Sequence, residues 1–383
     1  MFINKLLIIL VAAFLGKLLS GKMKQPSILG ELFFGMLIGN LGIVTLTKTI
    51  TDIADMGILL LLFSTGLAVN FKELKELGSA SVIVASFGVI LPFVMGYYTA
   101  VYFGYSLIVS LFIGVSLVAT SIGISSRVLS ELHMIGMRLG TLIIGSAIVD
   151  DVIGIVAVGT VTGIALNGNL NSSKLILTIV LTFLFLIVSF TIAIKLFKKL
   201  SDTFMFDNRM VGSILTPILI IGLFFGIIAE KIGLSMITGT FIAGLIIGQT
   251  RIAKEAFETV SLIGEYFFIP IFFVTMGMQF DVSAFSSSGI FTIILLLVAI
   301  ISKIIGCGFG AKLCRFSNQE SFTVGIAMIP RAGVELVLIK IGLEYGIISS
   351  EIASVIICMV VVTTFVTPPL FSNLLRKVKL NGI

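Results

Sequence analysis

Charge is what this sequence has least of. Only 11% of its 383 residues are Asp, Glu, Lys or Arg, while 58% are hydrophobic and the mean hydropathy is +1.22. A soluble domain carries about 25% charged residues, so this chain could not cover a water-facing surface. Lipid asks the opposite: apolar side chains outside and backbone polar groups satisfied within helices. Histidine is almost missing. The single His133 lies in a short polar link, which excludes a histidine-based metal site. The three cysteines, Cys307, Cys314 and Cys358, form no CxxC pair and read as apolar core residues. No cofactor is expected, and the length leaves no room for a soluble catalytic domain beside about a dozen spans of ~20 residues. After Phe371 only a short basic tail follows. The net charge of +6 would point to nucleic acid in a soluble protein; here the placement of the basic residues explains it without such a partner. The first apolar run, Ile3 to Leu19, is followed by Lys22 and Lys24 with no small-residue cleavage site, and reads as a retained span.

What is present is a series of apolar segments. Broken at charged or Gly/Asn/Ser-rich links, the chain gives thirteen, at about 3–20, 27–45, 51–70, 79–102, 106–130, 136–166, 174–198, 208–230, 234–250, 255–280, 288–314, 320–345 and 350–374. An odd number puts the termini on opposite sides. With the N-terminus outside, seventeen basic residues fall in the inner links and tail, Arg127 and Arg138 among them, against Lys5, Lys48, Lys174 and Lys231 outside. That asymmetry sets a cytoplasmic C-terminus in a multi-pass cell-membrane protein.

The chain also repeats. LGELFFGMLIGN (29–40) aligns with TGTFIAGLIIGQ (238–249), so that Gly30, Gly35 and Gly39 fall on Gly239, Gly244 and Gly248 at an offset of 209. The following spans end alike, around Gly66 and Gly277. Seven spans separate the copies, so the second is inverted relative to the first. The expected fold is an all-α membrane protein with thirteen transmembrane helices. They form one membrane domain over 1–383, with inverted six-helix units at about 1–168 and 208–375 and a linker helix at 174–198. Such inverted units place ion sites near the bilayer midplane, although glycines in apolar helices also serve close packing alone.

Against this apolar background a few charges stand out. Asp150 and Asp151 sit in the middle of the sixth span, where each ionised group costs ~2.5–3.5 kcal/mol. Neighbours on a helix point about 100° apart, so one carboxylate can be held by protein while the other meets an ion. Lys303 on the eleventh span is the natural holder of Asp150, because the two depths differ by only about 5 Å at ~1.5 Å per residue. A purely structural ion pair is the plain alternative. The fifth span contains VATSIGISS (118–126) and the twelfth AMIPRAGVE (327–335), again 209 residues apart. Thr120 and Ser121 in the first, and Pro330 and Gly333 in the second, point to paired broken helices crossing beside the aspartates, because non-helical backbone survives at membrane depth only against protein or a cavity. Arg331 and Glu335 are four apart and can pair along one face. Glu230 and Glu31 are other partners for Arg331, and a structural role is expected of this group.

These residues resemble the monovalent cation:proton antiporter-2 family, which includes sodium/proton exchangers of the NapA type and Kef-like potassium proteins. The resemblance covers the whole chain and is carried by Asp150–Asp151, Ala119–Ser121, Lys303 and the PRAGVE segment. It implies that Asp151 is the Na⁺ ligand, that Asp150 shares the ion site and pairs with Lys303, and that Thr120 and Ser121 lie near it. It further implies a homodimer, an elevator-like movement of one domain against another, and electrogenic exchange, since an aspartate pair marks that branch. The soluble nucleotide-binding domain usual in Kef-like proteins is not seen, which weakens that branch without removing K⁺.

The chemistry expected of such a site is competition. Asp151, less compensated than Asp150, should hold a proton at low pH and exchange it for Na⁺ (or Li⁺) as pH rises. K⁺/H⁺ exchange is the nearest rival. A cation channel or organic-anion carrier would not need two aspartates and a lysine at one depth. An intramembrane aspartyl protease places its two aspartates on different helices, and no GxGD segment occurs here. The chain is therefore read as a transporter rather than an enzyme, with Na⁺, H⁺ and the bilayer as partners.

Overall fold

The computed structural model of the chain describes residues 2–167, 172–203, 214–280, 289–331, 338–339, 342–343 and 345–380. Every regular element among them is helical. In chain order these are α1 (Phe2–Lys22), α2 (Ser27–Asn40), α3 (Lys48–Ala68), the short α4 (Phe71–Glu76), α5 (Gly78–Tyr102), α6 (Leu107–Ser116), α7 (Ile122–Glu131) and α8 (Arg138–Asn167). Helix α9 runs from Ser172–Val188 through a π turn at Ser189–Ala193 into Ile194–Thr203, and is followed by α10 (Leu215–Lys231) and α11 (Met236–Ile247). Helix α12 likewise joins Ala253–Ile263 to Ile269–Met278 through a π turn at Gly264–Phe268. Then come α13 (Ile290–Leu313), α14 (Asn318–Ala327) and α15 (Ser350–Leu380). Among the described residues eight helices are long and apolar enough to cross a membrane, and α2, α6 and α11 are apolar but shorter.

The outer faces show what solvent these helices suit. On α1, Ile3, Leu7, Val11, Phe14 and Leu18 are exposed at three- and four-residue spacing, while Ile9, Ala12, Ala13 and Gly16 face inward. On α13 the same spacing exposes Ile290, Ile293, Leu297, Ile301, Ile305 and Phe309. Stripes of this kind would be costly against water and cost nothing against acyl chains. The inward faces of both helices also carry small residues, among them Ala12, Ala13 and Gly16 on α1 and Ala299, Gly306 and Gly310 on α13, which let neighbouring backbones approach.

The helices form two bundles. In one, α1, α2, α3, α10, α11 and α12 pack on each other; in the other, α5, α6, α8, α13, α14 and α15 do so together with α7. Each bundle has an apolar core of its own: Ile9, Ile38, Ile50 and Val274 belong to the first, and Phe112, Leu117, Leu295 and Ile356 to the second. A third, shared core joins them where Leu61 and Phe63 of α3 and Phe241 of α11 meet Ile124 of α7 and Ile143 of α8.

Glycines set the spacing within the bundles. A Cβ on Gly35 would lie 2.1 Å from the Val274 carbonyl oxygen and 3.0 Å from the Gly277 Cα; on Gly244 it would lie 2.1 Å from the Phe63 carbonyl oxygen. A Cβ on Gly66, in turn, would lie 2.2 Å from the Phe241 oxygen. The α2–α12 and α3–α11 contacts therefore exist only because no side chain intervenes. In the second bundle Gly88 and Gly306 do the same for α5 and α13.

Candidate functional site

Helix α8 carries both aspartates, and they have different surroundings. Asp150 is fully buried, and Lys303 Nζ donates to both of its carboxylate oxygens at 3.2 Å. Lys303 is itself fully buried on α13. The pair sits beside Gly88, where a Cβ would be 3.9 Å from Nζ and 2.4 Å from the Cys307 Sγ. A small residue on α5 thus makes the room in which the lysine lies. Removing two charges from water costs several kcal/mol per ion, offset only when they meet in good geometry. The two-oxygen contact supplies that.

Asp151 is half-buried and turned toward the other bundle. Its Oδ2 accepts a hydrogen bond of 2.5 Å from Thr238 Oγ1 on α11. The sequence pattern had not singled out Thr238. The signal was there: it is a hydroxyl residue at the head of the repeated TGTFIAG segment, on an otherwise apolar face.

The fifth span is broken as expected. Helix α6 ends at Ser116, α7 begins at Ile122, and the turns between them are not helical. Helix α14 ends at Ala327. The two breaks lie against each other: the Ser121 backbone N–H donates to the Pro330 carbonyl at 2.7 Å, Thr120 Oγ1 to the Met328 carbonyl at 3.2 Å, and Ser125 Oγ to the Ala327 carbonyl at 2.5 Å. Thr120 also stands beside Asp150, so the break adjoins the buried pair. Ser121 contributes through its backbone and remains half-buried beside the break.

A helix end at membrane depth leaves carbonyl oxygens with partial negative charge. Arg331 answers part of that charge. It is fully buried, and its guanidinium donates to the Leu117 carbonyl at the end of α6 (2.6 Å) and to the Ala299 carbonyl on α13 (3.4 Å). Thr364 Oγ1 on α15 in turn donates to the Arg331 carbonyl at 2.9 Å. Of the carboxylates expected near Arg331, Glu335 lies outside the described residues, Glu230 is exposed near the end of α10, and Glu31 is engaged elsewhere.

Glu31 belongs to a second buried ionic group. Arg127, assigned from sequence to a link on the inner side, is instead buried inside α7. Its Nε lies 3.1 Å from Glu131 Oε1, and one Nη lies 3.8 Å from Glu31. The Ser27 hydroxyl accepts from Arg127 at 3.1 Å and donates to Glu131, and the Ser27 backbone N–H donates to Glu131 at 3.0 Å. A basic residue at a span end is equally consistent with a solvated link and with a buried partner on a neighbouring helix. Only packing distinguishes them. Arg127 and Glu131 are on the aspartate-bearing bundle, whereas Ser27 and Glu31 are on α2 of the other.

Both the Asp151–Thr238 contact and this ionic group therefore lie on the seam between bundles. The arrangement offers one fixed acid, one acid with a spare face, and hydroxyl and carbonyl oxygens around them. It suits a small hard cation.

Comparison with known proteins agrees. The family profile described as "Sodium/hydrogen exchanger, transmembrane" matches residues 9–377. A Na⁺/H⁺ antiporter of Enterococcus hirae is 31% identical, over 99% of this chain and 100% of that one. The Na⁺/H⁺-K⁺ antiporter GerN of Bacillus cereus is 32% identical, over 96% of this chain and 95% of that one. Among solved structures, the sodium proton antiporter MjNhaP1 of Methanocaldococcus jannaschii superposes with a TM-score of 0.75 at 17% identity, covering 100% of this chain and 97% of that one, which shows a shared fold. The chain belongs to the sodium/hydrogen exchanger family of multi-pass monovalent cation:proton antiporters.

Proposed function

We infer that this chain exchanges Na⁺ for H⁺ across the membrane, with the two ions competing for Asp151. The observation that carries the reading is the division of labour on α8: Asp150 is buried and neutralised by Lys303, while Asp151 keeps a partly accessible face on the bundle seam. A neutralised acid cannot drive ion exchange by itself. An acid with only a hydroxyl partner can take either a proton or a cation, but an uncompensated charge cannot readily cross the low-dielectric interior empty. Occupancy is thereby tied to movement. As pH rises the proton leaves and Na⁺ binds in its place, so the KM for Na⁺ falls. Li⁺ fits the same oxygen set. K⁺ is the weaker reading; it has in its favour the name of one relative, which pairs Na⁺ with K⁺.

The architecture proposed with this function is thirteen spans in two inverted units, with the N-terminus outside and the C-terminus cytoplasmic, working as a homodimer and electrogenically. The glycine contacts support the inverted units. Gly35 meets Val274 and Gly277 while Gly244, 209 residues on, meets Phe63 and the turn beside Gly66, so the two glycines take corresponding partners on the span that follows the other copy, as a pseudo-two-fold axis requires. Two bundles with separate cores suit movement of one against the other about their seam.

The test is a ΔpH-dye assay on purified protein in liposomes. Na⁺ and Li⁺ should collapse a proton gradient, K⁺ less so, and organic anions not at all. Asp151→Asn should abolish the response while leaving the protein folded. Wild-type exchange by that variant would remove Asp151 from the mechanism.

A further inference from the structure

We propose that Thr238 is a ligand of the transported cation, supplied by the bundle that does not carry the aspartates, so that cation affinity depends on how the two bundles sit. The inference rests on the exchange reading above and names a site residue beyond it.

Threonines in apolar helices normally turn their hydroxyls back onto their own helix. Here Thr240 donates to the Ile237 carbonyl at 2.8 Å, Thr65 to Leu61 at 2.7 Å and Thr363 to Met359 at 2.8 Å. Thr238 departs from that habit. Its hydroxyl crosses the seam and donates to Asp151 Oδ2 at 2.5 Å, although the side chain belongs to a different bundle and is almost fully buried. The position is fixed from behind: Gly239, the next residue, is pressed against Gly226 and the Phe225 carbonyl of α10, so α11 cannot rotate away without losing that contact. The Ser235 hydroxyl accepts from the Ile237 N–H at 3.2 Å and anchors the helix start one turn earlier.

A hydroxyl has one hydrogen to donate and two lone pairs. It can therefore serve each occupant of Asp151 in turn. To the bare carboxylate it donates, as seen here. To a protonated Asp151 it accepts the acid hydrogen. To a cation on Asp151 it rotates and presents a lone pair, adding a neutral oxygen to the charged one, as hard cations favour. Valine keeps the shape of threonine and can do none of these. Because Thr238 moves with α11 and Asp151 with α8, this oxygen is present only when the bundles stand as they do here.

The experiment measures KM for Na⁺ and maximal rate in proteoliposomes for wild type, Thr238→Val and Thr238→Ser. Losing one neutral oxygen should raise KM about five- to tenfold in Thr238→Val, since a tenfold change is the effect of about one modest interaction, with the maximal rate within about twofold. Thr238→Ser, which restores the hydroxyl, should return KM to within about twofold of wild type. An unchanged KM in Thr238→Val overturns the proposal. So does a lowered KM, which would make the hydroxyl a competitor of the cation, or equal damage in Thr238→Ser. Should the valine variant not fold, Thr238→Asn provides a second measurement. Its amide oxygen should change the Li⁺/Na⁺ ratio of KM values by about threefold or more, and an unaltered ratio counts against the proposal. A wild-type protein that moves no protons on Na⁺ addition would instead sink the exchange reading itself, before any variant is compared.

Discussion

At the scale of single residues the decisive contrast is between two neighbouring aspartates. Asp150 was placed with Lys303 on depth alone, and the two meet at 3.2 Å in full burial. This predicts an asymmetric mutational response. Lys303→Met should leave Asp150 as an uncompensated buried acid and destabilise the protein by about 3–5 kcal/mol, whereas replacing both partners should restore most of that. Thermal unfolding in detergent of Lys303→Met, Asp150→Asn and the double variant checks it, and a double variant no more stable than Lys303→Met would refute it. The same contrast shows where a sequence stops being informative. A lone charge at mid-span is conspicuous because lipid should have excluded it. Thr238 is marked by its place at the head of the repeated segment, 87 residues from Asp151, but that place does not tell whether its hydroxyl bonds its own helix or another. Arg127 is ambiguous for the same reason: a cation near a span end is satisfied equally by water and by carboxylates such as Glu131 on the next turn and the buried Glu31 on another helix.

At the scale of elements, hydropathy and link composition are enough to locate most helices, because a helix that must be apolar for about 20 residues leaves no doubt of its period or length. The breaks were also legible. Thr120, Ser121 and Pro330 are poor helix interiors at depths where only a break against protein is tolerated, and the two breaks do bond one another through Ser121 and Pro330. The π turns at Ser189–Ala193 and Gly264–Phe268 could not have been foreseen, since they add one residue to a turn without changing the apolar pattern. The repeated glycines acquire a specific meaning in the packing. Gly35→Ala and Gly244→Ala each thrust a methyl to 2.1 Å from a backbone carbonyl oxygen of a neighbouring helix, at Val274 and Phe63. Backbone cannot yield as a flexible side chain does, so each should cost about 1–3 kcal/mol or more by overpacking. Gly21→Ala, which meets nothing within 4 Å, should be neutral or slightly stabilising. Melting temperatures of the three variants, compared in one detergent, settle the matter: equal behaviour of all three would mean that the glycines do not set the helix spacing.

At the scale of the whole molecule, the question is whether the seam between bundles moves. Each bundle carries a private core, and among the contacts that join them are a shared apolar core, the Asp151–Thr238 bond and the ionic group of Arg127, Glu131, Ser27 and Glu31. Private cores let a bundle travel as a body. The shared contacts must then break and re-form, and a bond that holds them should stop exchange without touching the aspartates. Ser27 on α2 and Glu131 on α7 are in direct hydrogen-bonded contact across the seam, and neither touches Asp151 or Thr238 in the bonds described above. In a background with the partly exposed Cys314 replaced by serine, and with Cys307 and Cys358 left in their buried positions, Ser27→Cys with Glu131→Cys gives one bridgeable pair. A short thiol-to-thiol cross-linker avoids the strict geometry a direct disulfide demands. Cross-linked liposomes should lose Na⁺-dependent proton movement by more than about tenfold, with recovery on reduction, because a chain locked in one state binds at one face only. The uncross-linked variant must retain exchange, which separates locking from loss of the Glu131 carboxylate. Full exchange by the cross-linked protein would mean that this seam is static and that ions reach Asp151 without the bundles parting there.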